Sequence, residues 1–90
     1  MEIIYDKNKA EKLLRERNID LQEIEGILLA NGPVAVIRNP ARRGQKIFLV
    51  YYKGYIHAVP FVRDAERNYI IKTAYRSRKY NKIYGDNNET

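Results

Sequence analysis

Cysteine is absent from this 90-residue chain, so no disulfide can brace it and no thiolate can hold a metal ion. Long apolar runs are absent as well, none approaching the roughly 18 residues that a bilayer span needs. The opening Met1-Glu2-Ile3-Ile4-Tyr5-Asp6 lacks the basic start and apolar stretch of a signal peptide. A cytoplasmic protein with no membrane partner is the expectation. Imidazole is scarce: His57 is the single histidine, and a lone histidine in a strand is more often packed and hydrogen-bonded than catalytic. Carboxylates are missing from residues 31–63, which carry six cationic side chains and no acidic one. By contrast, residues 1–30 hold five cations against seven acids, and residues 64–90 six against four. The net charge of +6 therefore belongs to the second half of the chain. A phosphate-binding surface has this asymmetry, and so does a lysine-rich solvated face.

What is present suffices for one thin core. The hydrophobic fraction is 44%, and a chain this short makes a single domain, expected over 1–85 with a disordered tail at 86–90. Ile3-Ile4-Tyr5 reads as a short strand. Asp6 then looks like an N-cap for a helix from Lys7 to about Arg17, with Ala10, Leu13 and Leu14 on one stripe and Asn18 ending it in the left-handed conformation. Asp20-Leu21-Gln22-Glu23 resembles a capping box opening a second helix that buries Leu21, Ile24, Ile27 and Leu28, and Asn31-Gly32-Pro33 stops it.

Everything from there to about residue 76 reads as strand: 34–37, 47–52, 55–62 and 69–75. Lys53-Gly54 makes a two-residue hairpin turn, and Pro60 marks an edge position or a bulge. Helices segregated from a run of strands predict an α+β fold, two helices packed on one face of a four- to five-stranded antiparallel sheet, with a short C-terminal helix after it.

The last strand and its exit concentrate the side chains with chemistry. Lys72, Arg76, Arg78, Lys79 and Lys82 fall within eleven residues that contain no acid, interleaved with Tyr75 and Tyr80. Cations neutralise phosphates and aromatic rings stack on unpaired bases, so the mixture suits single-stranded RNA. A solvated amphipathic helix with snorkelling lysines has the same composition. Arg42 and Arg43 sit in a basic loop able to hold RNA or simply to stay solvated, and Tyr51, Tyr52 and Tyr55 read as packing ahead of base-stacking.

Asp6 and Asp20 are explained as caps, and the helix glutamates have lysines and arginines beside them. No metal site and no cofactor is therefore expected, and there is no Gly-rich phosphate loop or nucleophile elbow. RNA can be cut without a metal, because its own 2′-OH attacks the neighbouring phosphate. The protein then supplies a base, an acid and cations for the charged transition state. Lys72, Arg76, Arg78 and Lys79 are the candidates for that work. Arg42, Arg43, Tyr75, Tyr80 and Lys82 are the candidates for holding the strand.

Three segments carry a family resemblance: Ile3-Ile4-Tyr5-Asp6-Lys7-Asn8-Lys9-Ala10, Arg15-Glu16-Arg17-Asn18-Ile19-Asp20-Leu21, and Ile71-Lys72-Thr73-Ala74-Tyr75-Arg76-Ser77-Arg78-Lys79. In order and spacing they resemble the BrnT family of toxins, small relatives of RelE-type ribonucleases. Arg17 stands where that family commonly has histidine, and Arg76 where many members have proline. The resemblance implies a RelE-like fold and mRNA cleavage that halts translation. It also implies a cognate antitoxin, acidic and with a DNA-binding part, so that the toxin meets DNA only through the complex. Two other readings fit the residues: a non-catalytic nucleic-acid-binding module, and a degenerate toxin that keeps only its protein partner.

Overall fold

The computed structural model describes residues 2–85; the expectation for the tail at 86–90 lies outside them. One short strand and two helices come first: β1 (Ile3–Ile4), α1 (Lys7–Arg17) and α2 (Leu21–Asn31). Local chemistry sets their ends. Asp6 accepts from the Asn8 N–H at 2.9 Å to start α1, and Asn18, at φ 58°, closes it. Gly32, at φ 74°, ends α2. Leu13, Leu21 and Ile24 are buried, whereas Leu14 remains 48% exposed and takes no part in the expected stripe.

The capping box at Asp20 is built differently from its sequence pattern. Asp20 accepts from the Gln22 N–H at 2.9 Å, but Glu23 does not reach back to the Asp20 N–H. The hydroxyl of Tyr52 stands between them, accepting from that N–H at 3.1 Å and donating to Glu23 Oε1 at 2.7 Å. Burial lifts the Tyr52 phenol above its ordinary pKa; the bond to Glu23 adds to this and the bond from Asp20 opposes it. The start of α2 is thus pinned to the sheet through one buried ring.

The strands β2 (Ala35–Arg38), β3 (Lys46–Tyr52), β4 (Tyr55–Arg63) and β5 (Tyr69–Ile71) form the expected antiparallel meander. Lys53 and Gly54 both have positive φ, 55° and 76°, in the tight turn between β3 and β4. The sheet as a whole is mixed, because β1 lies parallel to β5, with Ile3 opposite Tyr69 and Ile4 opposite Ile70. The order is β1-β5-β4-β3-β2, and a sixth strand, β6 (Tyr75–Arg76), also pairs with β4. Parallel pairing of β1 closes an edge that hairpin logic leaves open.

The expected single strand 69–75 is broken opposite Pro60. Pro60 sits in central β4 rather than at an edge, so the bulge is the alternative realised. Phe61 pairs with Ile71 and Ala58 with Tyr75, so two residues of β4 face three, Lys72, Thr73 and Ala74. The Lys72 N–H still donates to the Pro60 carbonyl at 2.8 Å, but Pro60 has no N–H to return.

Side-chain alternation gives the sheet two covered faces. On one, α1 and α2 pack over Phe48, Val50, Tyr52, Val59 and Phe61. On the other, Ile47, Leu49, Ile56 and Ala58 meet Tyr80 and Tyr84 of the C-terminal segment. That segment is α3 (Arg78–Tyr80) followed by a π-helical turn (Asn81–Gly85). Ser77 caps it by accepting from the Tyr80 N–H at 3.1 Å, and Asn81 docks it by accepting from the Ile56 N–H at 3.0 Å. Among the described residues, no helix is long and apolar enough to cross a membrane.

Candidate functional site

The bulge throws the chain out of β5 and into β6 with a changed register, and the candidate residues follow from it. Tyr75 pairs with Ala58 and Arg76 with His57, so their side chains leave opposite faces of the sheet. Tyr75 points to the face that α3 covers. There a cavity of about 340 Å³ is bordered by Tyr75, Arg78, Lys79 and Tyr80 on one side and by Asn39, Pro40 and Ala41 on the other. A second cavity, about 390 Å³, continues past Tyr75 to Lys72 and Thr73, with Arg42 facing them and Lys9 of α1 at the far end. Together they form a groove between the 39–45 loop and the β5–β6–α3 segment.

The nine candidates distribute unevenly around this groove. Lys72, Tyr75, Arg78, Lys79, Tyr80 and Arg42 border it. Arg43 lies on the outer side of the loop, in a separate concavity with Arg38 and Lys46. Lys82 is exposed on the π-helical turn and borders neither cavity. Arg76 touches the first cavity, but its guanidinium lies 3.8 Å from the centre of the Tyr55 ring, on the face that carries His57. Tyr55 is thereby occupied in packing and Tyr52 lies in the core, as expected; Tyr51 is 44% exposed.

Among the described residues no carboxylate pairs with Lys72, Arg42, Arg78 or Lys79, and no three His, Asp or Glu side chains gather where they could hold a metal ion. The loop that forms the opposite wall holds itself: Asn39 Oδ1 accepts from the Ala41 N–H at 2.9 Å, and its amide donates to Gln45 Oε1 at 3.2 Å. Such a wall presents its arginines on a fixed turn rather than a loose tether.

Two cations that sequence reasoning left out of the site come from α1. The Lys9 ammonium donates to the Lys72 carbonyl at 2.6 Å, and the Arg17 guanidinium to the Ala74 carbonyl at 2.8 Å. A smaller cavity of about 170 Å³ joins Lys9, Lys12 and Arg17 to Lys72 and Thr73. The i, i+3 spacing of Lys9 and Lys12 on one helix face was the available signal. The partner of that face was not visible from spacing.

His57 is buried, at 4% exposure, and its Nδ1 lies 2.9 Å from the Tyr55 carbonyl oxygen. A carbonyl can only accept, so Nδ1 carries the proton. Burial pushes the imidazole pKa below its ordinary 6.5; the charges of Arg76 and Lys53 push the same way, and the Tyr55 bond opposes them. The folded state therefore takes up the second ring proton, on Nε2, less readily than the unfolded chain. Its contribution to stability is complete above pH 6.5 and is lost as the pH falls towards and through the lower folded value. In thermal melts at pH 7.5 and 5.5, the wild-type chain should lose more stability on acidification than His57→Gln. Equal losses would remove His57 from the pH response.

No protein-family model matches the chain, and no curated protein matches it in sequence. Its structure does find a counterpart. The crystal structure of the ribonuclease toxin BrnT from Brucella abortus superposes with a TM-score of 0.63, at 18% identity, over 86% of this chain and 96% of that one. This chain has the BrnT fold. The likeness covers nearly all of BrnT and most of this chain. It also comes from the family that the Tyr5-Asp6, Arg15-Glu16-Arg17 and Lys72-Thr73 motifs resemble.

Proposed function

We propose that the chain is the toxin of a type II toxin–antitoxin pair, a metal-independent endoribonuclease that cuts mRNA in the cytoplasm and is held inactive by an adjacent, acidic antitoxin with a DNA-binding part. The observation that carries this reading is a groove bordered by cations without carboxylate partners among the described residues, set in a fold shared with a ribonuclease toxin.

In this reading the RNA backbone lies in the groove with phosphates on Arg42, Lys72, Arg78 and Lys79, while Tyr75 and Tyr80 offer rings to unpaired bases. Arg43 and Lys82 meet more distant phosphates, and Arg76 adds positive field from the far face. A ribose 2′-OH gives up its proton and attacks the adjacent phosphorus. The P–O5′ bond breaks, the leaving oxygen takes a proton, and the products are a 2′,3′-cyclic phosphate and a 5′-OH. Fixed Arg and Lys donors stabilise the extra charge of the five-coordinate transition state.

Incubating the purified chain with an unstructured RNA and excess EDTA tests this directly. Cleavage should persist, leave cyclic-phosphate and 5′-OH ends, and vanish on an all-2′-deoxy strand. Cleavage that needs a divalent ion, or that leaves 5′-phosphate ends, rejects the mechanism. Binding without cleavage would leave a nucleic-acid-binding module or a degenerate toxin.

A further inference from the structure

The bulge decides which side chains face the groove. Had β5 continued in the register that pairs Phe61 with Ile71, Tyr75 would oppose His57 and turn to the helix-covered face, and Arg76 would take its place. The one extra residue among Lys72, Thr73 and Ala74 reverses this, because a shift of one residue sends every following side chain to the other side of a sheet. Something must keep that residue in the chain's path.

Pro60, opposite the bulge, leaves one ladder bond unmade. In the regular ladder Pro60 and Lys72 would exchange two bonds; only the one from Lys72 N–H to Pro60 O exists. The Lys72 carbonyl is instead met by the Lys9 ammonium at 2.6 Å, from a residue 63 positions away. At the other end of the bulge, the Ala74 carbonyl takes the Arg17 guanidinium at 2.8 Å. Both donors come from α1, so one helix grips both ends of the three-residue arm of the bulge. Lys9 is itself half-buried.

We infer that Lys9 is a positioning residue for RNA cleavage: its ammonium replaces the N–H that Pro60 lacks, and so fixes Lys72 at the start of the bulge that turns Tyr75 into the groove. This rests on the ribonuclease reading above. Lys9 acts through the backbone of Lys72 and not on the phosphate.

Four variants of the full chain test it: Lys9→Met, Lys9→Arg, Pro60→Ala, and Lys9→Met combined with Pro60→Ala. Lys9→Met is expected to lower kcat about a hundredfold, the scale set by a ~1 Å misplacement of reacting groups, with little change in KM. Lys9→Arg keeps a donor and recovers most of the rate. The double variant also recovers it, because replacing Pro60 restores a backbone N–H at that position for the Lys72 carbonyl. Binding of an uncleavable 2′-deoxy strand should keep its salt dependence in Lys9→Met. A slope reduced by about 0.7, the value for one lost phosphate contact on a single strand, with no recovery in either rescue variant, would make Lys9 an RNA contact and overturn the inference. If the wild-type chain cuts no RNA, the ribonuclease reading fails alone. The carbonyl ¹³C shift of Lys72 then decides the clamp: it moves in Lys9→Met and returns in the double variant, or it stays put and the clamp is refuted.

Discussion

Arg78→Ala lowers RNA cleavage by a factor of about 100 or more, the usual cost of removing one fixed donor from a developing anion, and leaves the thermal midpoint nearly unchanged. The two halves of this expectation have separate grounds. Arg78 is exposed at the start of α3, borders the groove, and its guanidinium makes no hydrogen bond, ion pair or ring contact with another described residue. Substitutions at such positions change stability by no more than about 0.5 kcal/mol. The loss should fall more on kcat than on KM, since the transition state carries one more negative charge than the bound phosphodiester. Lys79→Ala should act in the same direction. Its ammonium lies 5.3 Å from the Tyr80 ring centre, so a small part of its effect will come through Tyr80. Steady-state cleavage beside thermal melts separates these contributions. Full cleavage by both variants would move the site out of the α3 end of the groove.

Phe61→Ala has the largest expected effect on folding. Its ring is 3% exposed, stacks on Phe48 with centroids 3.9 Å apart, and meets the edge of Tyr69 at 5.5 Å. Truncating a buried phenylalanine costs about 3–5 kcal/mol, against a total stability on the order of 5–13 kcal/mol for a domain of this length. Urea titration should show the midpoint falling by roughly a quarter or more, or a chain already unfolded at 37 °C. Leu14→Ala, on an exposed helix face, should shift it hardly at all. A Phe61→Ala midpoint close to wild type would mean that the three-ring cluster does not hold the sheet to the helices.

Features whose physics is local were legible in the sequence. Asp6, Asn18 and Asp20 announce helix ends because a cap needs only its own neighbours, and Lys53-Gly54 announces a hairpin for the same reason. The meander followed from alternation. The parallel pairing of β1 with β5 did not, since two residues carry no periodic signal and their partner lies 66 positions on. Pro60 gave notice of a bulge, but the extra residue sits in the strand opposite, where sequence reasoning saw one unbroken strand. In the candidate site, residue types were visible and directions were not. Tyr75 and Arg76 are neighbours in the chain that face opposite sides, and Arg76 lays its guanidinium on Tyr55. Lys9 and Arg17 were passed over because their role depends on carbonyls 63 and 57 residues distant.

The stretch that bears Arg78 and Lys79 also roofs the second core, where Tyr80 and Tyr84 cover Ile47, Leu49 and Ile56. Chemistry and cohesion therefore share the same few turns of backbone. The cationic strip cannot swing aside without wetting three aliphatic side chains, so on the ribonuclease reading a strand meets a wall that stays put.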